Sequence, residues 1–312
     1  MADLPPPPPV DLGHPFTRRA GLHAGLTDAQ LQGERFRRLF QGVYVPAHVP
    51  MTPARWVEAA RLVAPSDAFA SHRSAARLLG GLVPDSATVD LGTASGRQSR
   101  VRGLHLHRYA APPRLVRVEG QPCTPPTRTF VELAGELDLV DLVVLGDSLV
   151  RRGLVGPDAL RASAARPQRW GQRAAAAAAY VRVGVDSAPE SRLRLLLVLA
   201  GLPEPTVALE VRDRRGRMRR LDLAWHAVRV AAEYDGRHHI ERRQQWQDDL
   251  ARREDLELEG WRFVVVTGPD LYRTPGQTLE RAAAVLARAG LVVPRIRPGW
   301  QVHFPERGSY LA

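Results

Sequence analysis

The sequence predicts a multi-domain α/β protein of the α+β kind, and three observations carry that reading. Its 312 residues suffice for two or three domains that each bury a core. Apolar residues recur at helical spacing through 52–81 and 127–165, whereas short runs elsewhere read as strands. From residue 187 onward the elements fall in the order α-β-β-β-α-β-α, the pattern of a mixed sheet flanked by helices.

Composition narrows the class. Hydrophobic residues make up 44% and charged residues 25%, as in ordinary soluble globular chains. The single cysteine, Cys123, excludes a disulfide framework and a cysteine-based zinc cluster, and it fits a reducing cytoplasm. No apolar run approaches the roughly 18 residues that suggest a membrane span. Residues 1–13 include five consecutive prolines and read as an extended polyproline lead, not as a signal or transit peptide.

The net charge is +11 and all 44 basic side chains are arginine; lysine and asparagine are absent. Arginine offers a planar fork to phosphate, so the excess suits a nucleic-acid partner. A GC-rich genome also accounts for arginine in place of lysine, though less well for the positive balance. Residues 187–292 hold 18 arginines against 16 acids, a near-neutral segment that collects carboxylates.

Residues 14–50 read as a small winged helix-turn-helix. Thr17 caps a first helix through His23, Ala24-Gly25-Leu26 makes the turn, and Thr27 opens a second helix ending at Gly33. Phe36–Phe40 and Val43–Val45 then form two strands about a Gln41-Gly42 turn, with Arg37 and Arg38 available to phosphate. A helix–hairpin unit that only packs satisfies the same pattern.

Residues 51–186 read as a middle α+β region. Helices are expected at Thr52–Val63, Asp67–Leu79, Thr127–Leu137, Leu139–Arg152 and Pro157–Ala165. Strands are expected at Ala87–Leu91 and Leu104–His107, joined by a Gly/Ser/Arg loop that reads as a solvated hairpin loop or as a contact along a phosphate backbone. His105 and His107 share a strand face, but no carboxylate or cysteine stands near them in sequence, so they read as strand residues and not as ligands.

Residues 187–292 carry the chemistry, and 293–312 form a tail. Ser187 opens a helix to about Ala200, followed by strands Val207–Val211, Arg219–Trp225 and Val228–Tyr234, a helix Trp246–Glu259, a strand Trp261–Thr267 and a helix Thr278–Ala289. If Trp225 pairs with Val230, Asp222 lies opposite Glu233, with Cβ atoms about 4.5–5.5 Å apart. Asp235 shares their face, while Leu223, Trp225, Val230 and Ala232 form an apolar one. Clustered acids raise one another's pKa, and a divalent cation relieves the repulsion. Pairing with Arg194, Arg229 or Arg252 would relieve it too.

Glu190 is either a further carboxylate of this cluster or the partner of Ser187 in a capping box. His238 and His239 follow Gly236, and one of them is placed to take a proton from an attacking water; an exposed loop pair is the plainer alternative. Six arginines crowd residues 212–220, among them Arg214, Arg215, Arg217 and Arg219, as a grip on backbone phosphates would require.

These residues resemble a known family. Residues 187–290 are similar to the uncharacterised PD-(D/E)xK-fold family related to very-short-patch-repair (Vsr) endonucleases. The matching residues are Pro189-Glu190-Ser191, Leu221-Asp222-Leu223-Ala224-Trp225, Glu233-Tyr234-Asp235-Gly236-Arg237-His238-His239, Asp249-x-x-Arg252 and Gly260-Trp261-Arg262. The resemblance implies a restriction-endonuclease-like mixed sheet in which Asp222 and Glu233 bind Mg2+ and Glu190 and Asp235 contribute. It further implies that His238 or His239 assists the water, and that Asp249 and Arg252 brace the site. Asp235 departs from the pattern, because classical members carry lysine there.

Residues 14–81 resemble the winged-helix region of AbiEi-type abortive-infection antitoxins. The carriers are Leu26-Thr27, Arg38-Leu39-Phe40-Gln41-Gly42-Val43-Tyr44-Val45 and Ser71-His72-x-Ser74-Ala75-Ala76-x-Leu78-Leu79-Gly80. Residues 82–186 are similar to the region that accompanies it. The expectation is a cytoplasmic, Mg2+-dependent DNA endonuclease with an N-terminal DNA-binding winged helix, no membrane association, and a toxin or defence partner left open. Two rivals stand beside it: a non-catalytic repressor or antitoxin with a degenerate nuclease fold, and a nuclease acting on RNA.

Overall fold

The computed structural model describes residues 11–95, 99–111, 113–236 and 252–305. It is a mixed α+β structure with three sheets among the described residues. Contacts group the chain into two compact units. One holds residues up to Glu136 together with Ser163–Gly171, and the other holds Leu137–Ala162 together with Gln172 onward. No helix among the described residues is long and apolar enough to cross a membrane.

The first unit opens with β1 (Phe16–Thr17), α1 (Arg18–His23), α2 (Asp28–Gln32), β2 (Phe36–Phe40) and β3 (Val43–Pro46). Thr17 accepts a hydrogen bond from the Ala20 N–H, and Thr27 forms a full capping box with Gln30, so both helices start where the sequence places them. Gly42, at φ 74°, supplies the left-handed residue of the turn between β2 and β3. β1 adds a third strand to the wing, in the order β1-β3-β2.

After α3 (Pro53–Arg61) come β4 (Phe69–Ala70), α4 (His72–Leu78), β5 (Val89–Thr93), β6 (Leu104–Arg108), β7 (Val116–Val118), β8 (Gln121–Cys123) and α5 (Pro126–Leu133). Two expectations are corrected here. The helix expected from Asp67 begins at His72, because Phe69–Ala70 is a buried strand at the centre of a five-stranded sheet ordered β6-β5-β4-β8-β7. Asp67 instead accepts from Thr93 Oγ1 at 2.7 Å and from the Ala94 and Ser95 N–H groups. The strands expected as a hairpin, β5 and β6, pair parallel, so their connection is a crossover. Cys123 is fully buried, and burial pushes its thiol up to about 11.

α6 (Leu139–Arg151), α7 (Pro157–Ala164) and α8 (Gly171–Ala178) lead to α9 (Ala188–Leu199), β9 (Thr206–Arg212), β10 (Met218–Trp225) and β11 (Val230–Asp235). The helical stretch 252–258 (α10), β12 (Arg262–Thr267), α11 (Gly268–Tyr272) and α12 (Pro275–Arg288) complete the order. The sheet runs β12-β11-β10-β9; β9, β10 and β11 are antiparallel, and β11 and β12 are parallel. Trp225 pairs with Val230, as the alternation requires. Leu223, Trp225, Val230 and Ala232 are all buried, with the Trp225 Nε1–H donating to the Pro203 carbonyl at 2.8 Å. The turn His226–Val228 is a 3-10 helix closed by Arg229 at φ 49°, so β11 starts two residues later than periodicity suggested. Leu221, Ala224, Ala231, Leu256 and Trp261 pack as one core cluster.

Candidate acidic site and its surroundings

Asp222 occupies the middle of β10. Extending the Leu223–Ala232 pairing by one residue sets it opposite Glu233 on β11. No arginine among the described residues forms an ion pair with its carboxylate. Burial, then the charges of Glu190 and Glu233, push the Asp222 carboxyl up to about 7; the Tyr234 N–H and Arg252 only partly offset them. Three of the four expected carboxylates therefore act on one another.

Glu190 makes half of the capping box read for it, since its carboxylate returns to Asp186 and not to the Ser187 backbone. Its N–H donates to Ser187 Oγ at 3.3 Å, and its carboxylate accepts from the Ser187 hydroxyl at 2.7 Å and the Asp186 N–H at 2.9 Å. The same carboxylate contributes to raising Asp222. Glu233 is 6% exposed, and Arg252 Nη2 donates to its two oxygens at 3.0 and 2.9 Å. Arg252 also donates to the Arg220 carbonyl at 3.0 Å, tying α10 to the sheet. Asp235 ends β11, paired with Thr267 of β12, and strand alternation puts it on the side of Glu233. His238, His239 and Asp249 lie outside the described residues.

The other arginines weighed as partners go elsewhere. Arg194 is fully buried against Asp147 at 2.8 Å, and Arg229 donates to the Glu259 carbonyl. Within the arginine-rich turn, Arg217 and Arg219 both clamp Asp213, at 2.8 and 2.9 Å, and Arg217 also reaches Asp255 at 2.7 Å. Burial raises the Asp213 carboxyl, but the Arg217 N–H and the Arg219 and Arg217 side chains outweigh it and hold it at about 2. Arg214 and Arg215 are more exposed, with longer contacts to Glu259 (3.4 Å) and Asp255 (3.8 Å). Arg37 and Arg38 are exposed on β2, and Arg37 donates to the Val49 carbonyl.

A second constellation was missed by sequence reasoning. Asp90 of β5 pairs with His105 of β6 across the parallel ladder, and its Oδ1 lies 3.3 Å from His105 Nδ1 and 3.0 Å from His107 Nε2. The carboxylate that seemed to be lacking thus comes from the neighbouring strand. His72 stacks on His107 with ring centroids 3.5 Å apart. Spacing alone gives no pointer to this, since nothing in a single sequence pairs β5 with β6.

No protein-family model matches the chain. It is similar to two Mycobacterium tuberculosis proteins, uncharacterized protein MT2308 of strain CDC 1551 / Oshkosh and uncharacterized protein Rv2248 of strain ATCC 25618 / H37Rv. Each is 29% identical over 266 residues, spanning 84% of this chain and 96% of the relative.

Proposed function

We propose that the protein is a Mg2+-dependent DNA endonuclease whose chemistry sits at Asp222 and Glu233, with the winged N-terminal elements binding DNA. The observation that carries this reading is Asp222, a partly buried carboxylate set between Glu190 and Glu233, pushed up to about 7 by burial and then by those two charges, and forming no ion pair with a described arginine. Such a group is poised for a cation. The donor set fits magnesium, a hard ion that takes one or two carboxylates plus substrate phosphates.

When bound, magnesium supplies Lewis-acid polarisation of a phosphoryl oxygen and a more acidic water. The chain's own residues fix the geometry. Arg252 holds both oxygens of Glu233, and Ser187 with the Asp186 N–H turns Glu190. Asp235 carries no proton-donating cation of the lysine kind, so handling of the water proton falls to His238 or His239. Arg214 and Arg215 are the turn residues best placed for phosphate, since Arg217 and Arg219 are engaged with Asp213.

A second reading has its own support: Arg252 engages both oxygens of Glu233, as a purely structural network would. The protein is then a non-catalytic DNA-binding repressor. Incubating purified protein and its Asp222→Ala variant with plasmid and Mg2+ separates the two. Cleavage by the parent alone supports the endonuclease. Cleavage unaffected by the substitution rejects the site, and retention of the protein's own promoter fragment without cutting supports the repressor. Preference for structured RNA would replace DNA as the substrate.

A further inference from the structure

The histidine cluster of the first unit has the geometry of a transition-metal site, independent of the acidic cluster above. Asp90 is 2% exposed, and its backbone is fixed on both sides: its N–H donates to Ser74 Oγ at 2.7 Å and its carbonyl accepts from the Ser71 N–H at 3.2 Å. Its Oδ1 meets both imidazoles, while its Oδ2 is buried with no hydrogen-bond partner. A buried carboxylate oxygen without a donor leaves its negative charge poorly compensated, and a cation bound through the other oxygen offsets it.

The distances agree with that. Four ligands at about 2.0–2.1 Å from a tetrahedral zinc ion stand about 3.3 Å from one another. The Asp90 oxygen lies 3.0 and 3.3 Å from the two nitrogens, and one donor atom from each of Asp90, His105 and His107 falls within 4.8 Å of the others. His72, held at φ 48° in the left-handed region, lies flat on His107 with an interplanar angle of 11°. Strained backbone of this kind recurs at functional sites. His107 is thereby fixed in orientation by its neighbour. The His105 side chain is 60% exposed, which gives an ion a route from solvent.

We propose that Asp90, His105 and His107 bind one divalent transition-metal ion, zinc by ligand type, leaving a fourth position open to solvent. Two imidazoles with one carboxylate favour zinc and its first-row neighbours over magnesium. A three-ligand site with an open position is also the arrangement in which zinc activates water.

The test uses full-length protein stripped with a chelator, then titrated with Zn2+ against a competing indicator and, separately, with Mg2+. The expected result is one zinc per folded chain, with affinity falling at least about 10–100-fold in His105→Ala and in Asp90→Asn. His105→Ala alters an exposed side chain and is the variant least prone to misfold; circular dichroism confirms its fold. X-ray absorption of the zinc-loaded parent should give two imidazole nitrogens and an oxygen at about 2.0–2.1 Å. Absence of stoichiometric zinc on the folded parent, or binding that persists in His105→Ala, overturns the assignment. Asp222→Ala should retain the zinc, so failure here and failure of the endonuclease reading are separately visible.

Discussion

Two aspartates of the second unit, Asp147 and Asp222, differ in how completely their surroundings answer their charge. Burial pushes both carboxyls up. Asp147, on α6, accepts from the Arg182 N–H at 2.8 Å, from Ser191 Oγ at 2.7 Å and from Arg194 Nη2 at 2.8 Å. Asp222 faces two neighbouring carboxylates, whose effect the Tyr234 N–H and Arg252 offset only in part. The first is an ion pair that ties α6 to α9, although Arg194 Nε and Nη1 are buried with no hydrogen-bond partner. The second has no ion-pair partner among the described residues, and the neighbouring negative charge outweighs what Arg252 offsets.

The largest effect expected from this contrast is on stability at Asp147. Asp147→Ala leaves the Arg194 guanidinium buried and unpaired, costing about 3–5 kcal/mol in urea unfolding. The double variant Asp147→Leu/Arg194→Met should recover most of that loss. An equal loss in Asp222→Ala would erase the distinction.

Activity should respond in the opposite order. Asp222→Asn is expected to lower Mg2+-dependent cleavage by more than about 100-fold, on the order of 2.7 kcal/mol, while leaving the fold intact. Single-turnover cleavage of a labelled duplex reads this directly.

The pH dependence sharpens the comparison further. Asp222 is raised above its ordinary 3.8, so the metal-free folded state holds its proton more tightly than the unfolded chain does. Stability from this group therefore falls as pH rises from about 4 to about 7, then levels. The parent's melting temperature minus that of Asp222→Asn should decline across that window. Protons compete with the cation for the same oxygen, so Mg2+ affinity should climb over the same range.

Arg252→Gln removes the charge held against Glu233, and a stability loss of about 1–3 kcal/mol is expected. Smaller still, Arg214→Gln and Arg215→Gln should each reduce the salt slope of DNA binding by about 1. An unchanged slope would show that this turn does not touch phosphate.

What the sequence made legible was set by local chemistry. The Trp225–Val230 register followed from two-residue alternation, and the starts of α1, α2 and α9 from Thr17, Thr27 and Ser187. Phe69–Ala70 was illegible as a strand, because a short apolar run fits a buried helix equally well. The Asp147–Arg194 pair spans 47 residues, and Asp90 reaches its histidines only through a parallel crossover. Neither is encoded by spacing. The Asp213 clamp was closer to hand, since Arg217 stands four residues along the same turn, but reading the arginines as a phosphate grip hid their internal partner.

Cys123 has a practical consequence. It is the chain's one sulfhydryl, sealed inside the first unit and held as a protonated thiol at neutral pH. The natural protein is therefore close to silent toward maleimide dyes and spin labels. A cysteine introduced on the wing or at the arginine-rich turn would be the sole reactive handle, ready for testing by fluorescence whether DNA approaches that surface, without first stripping the background.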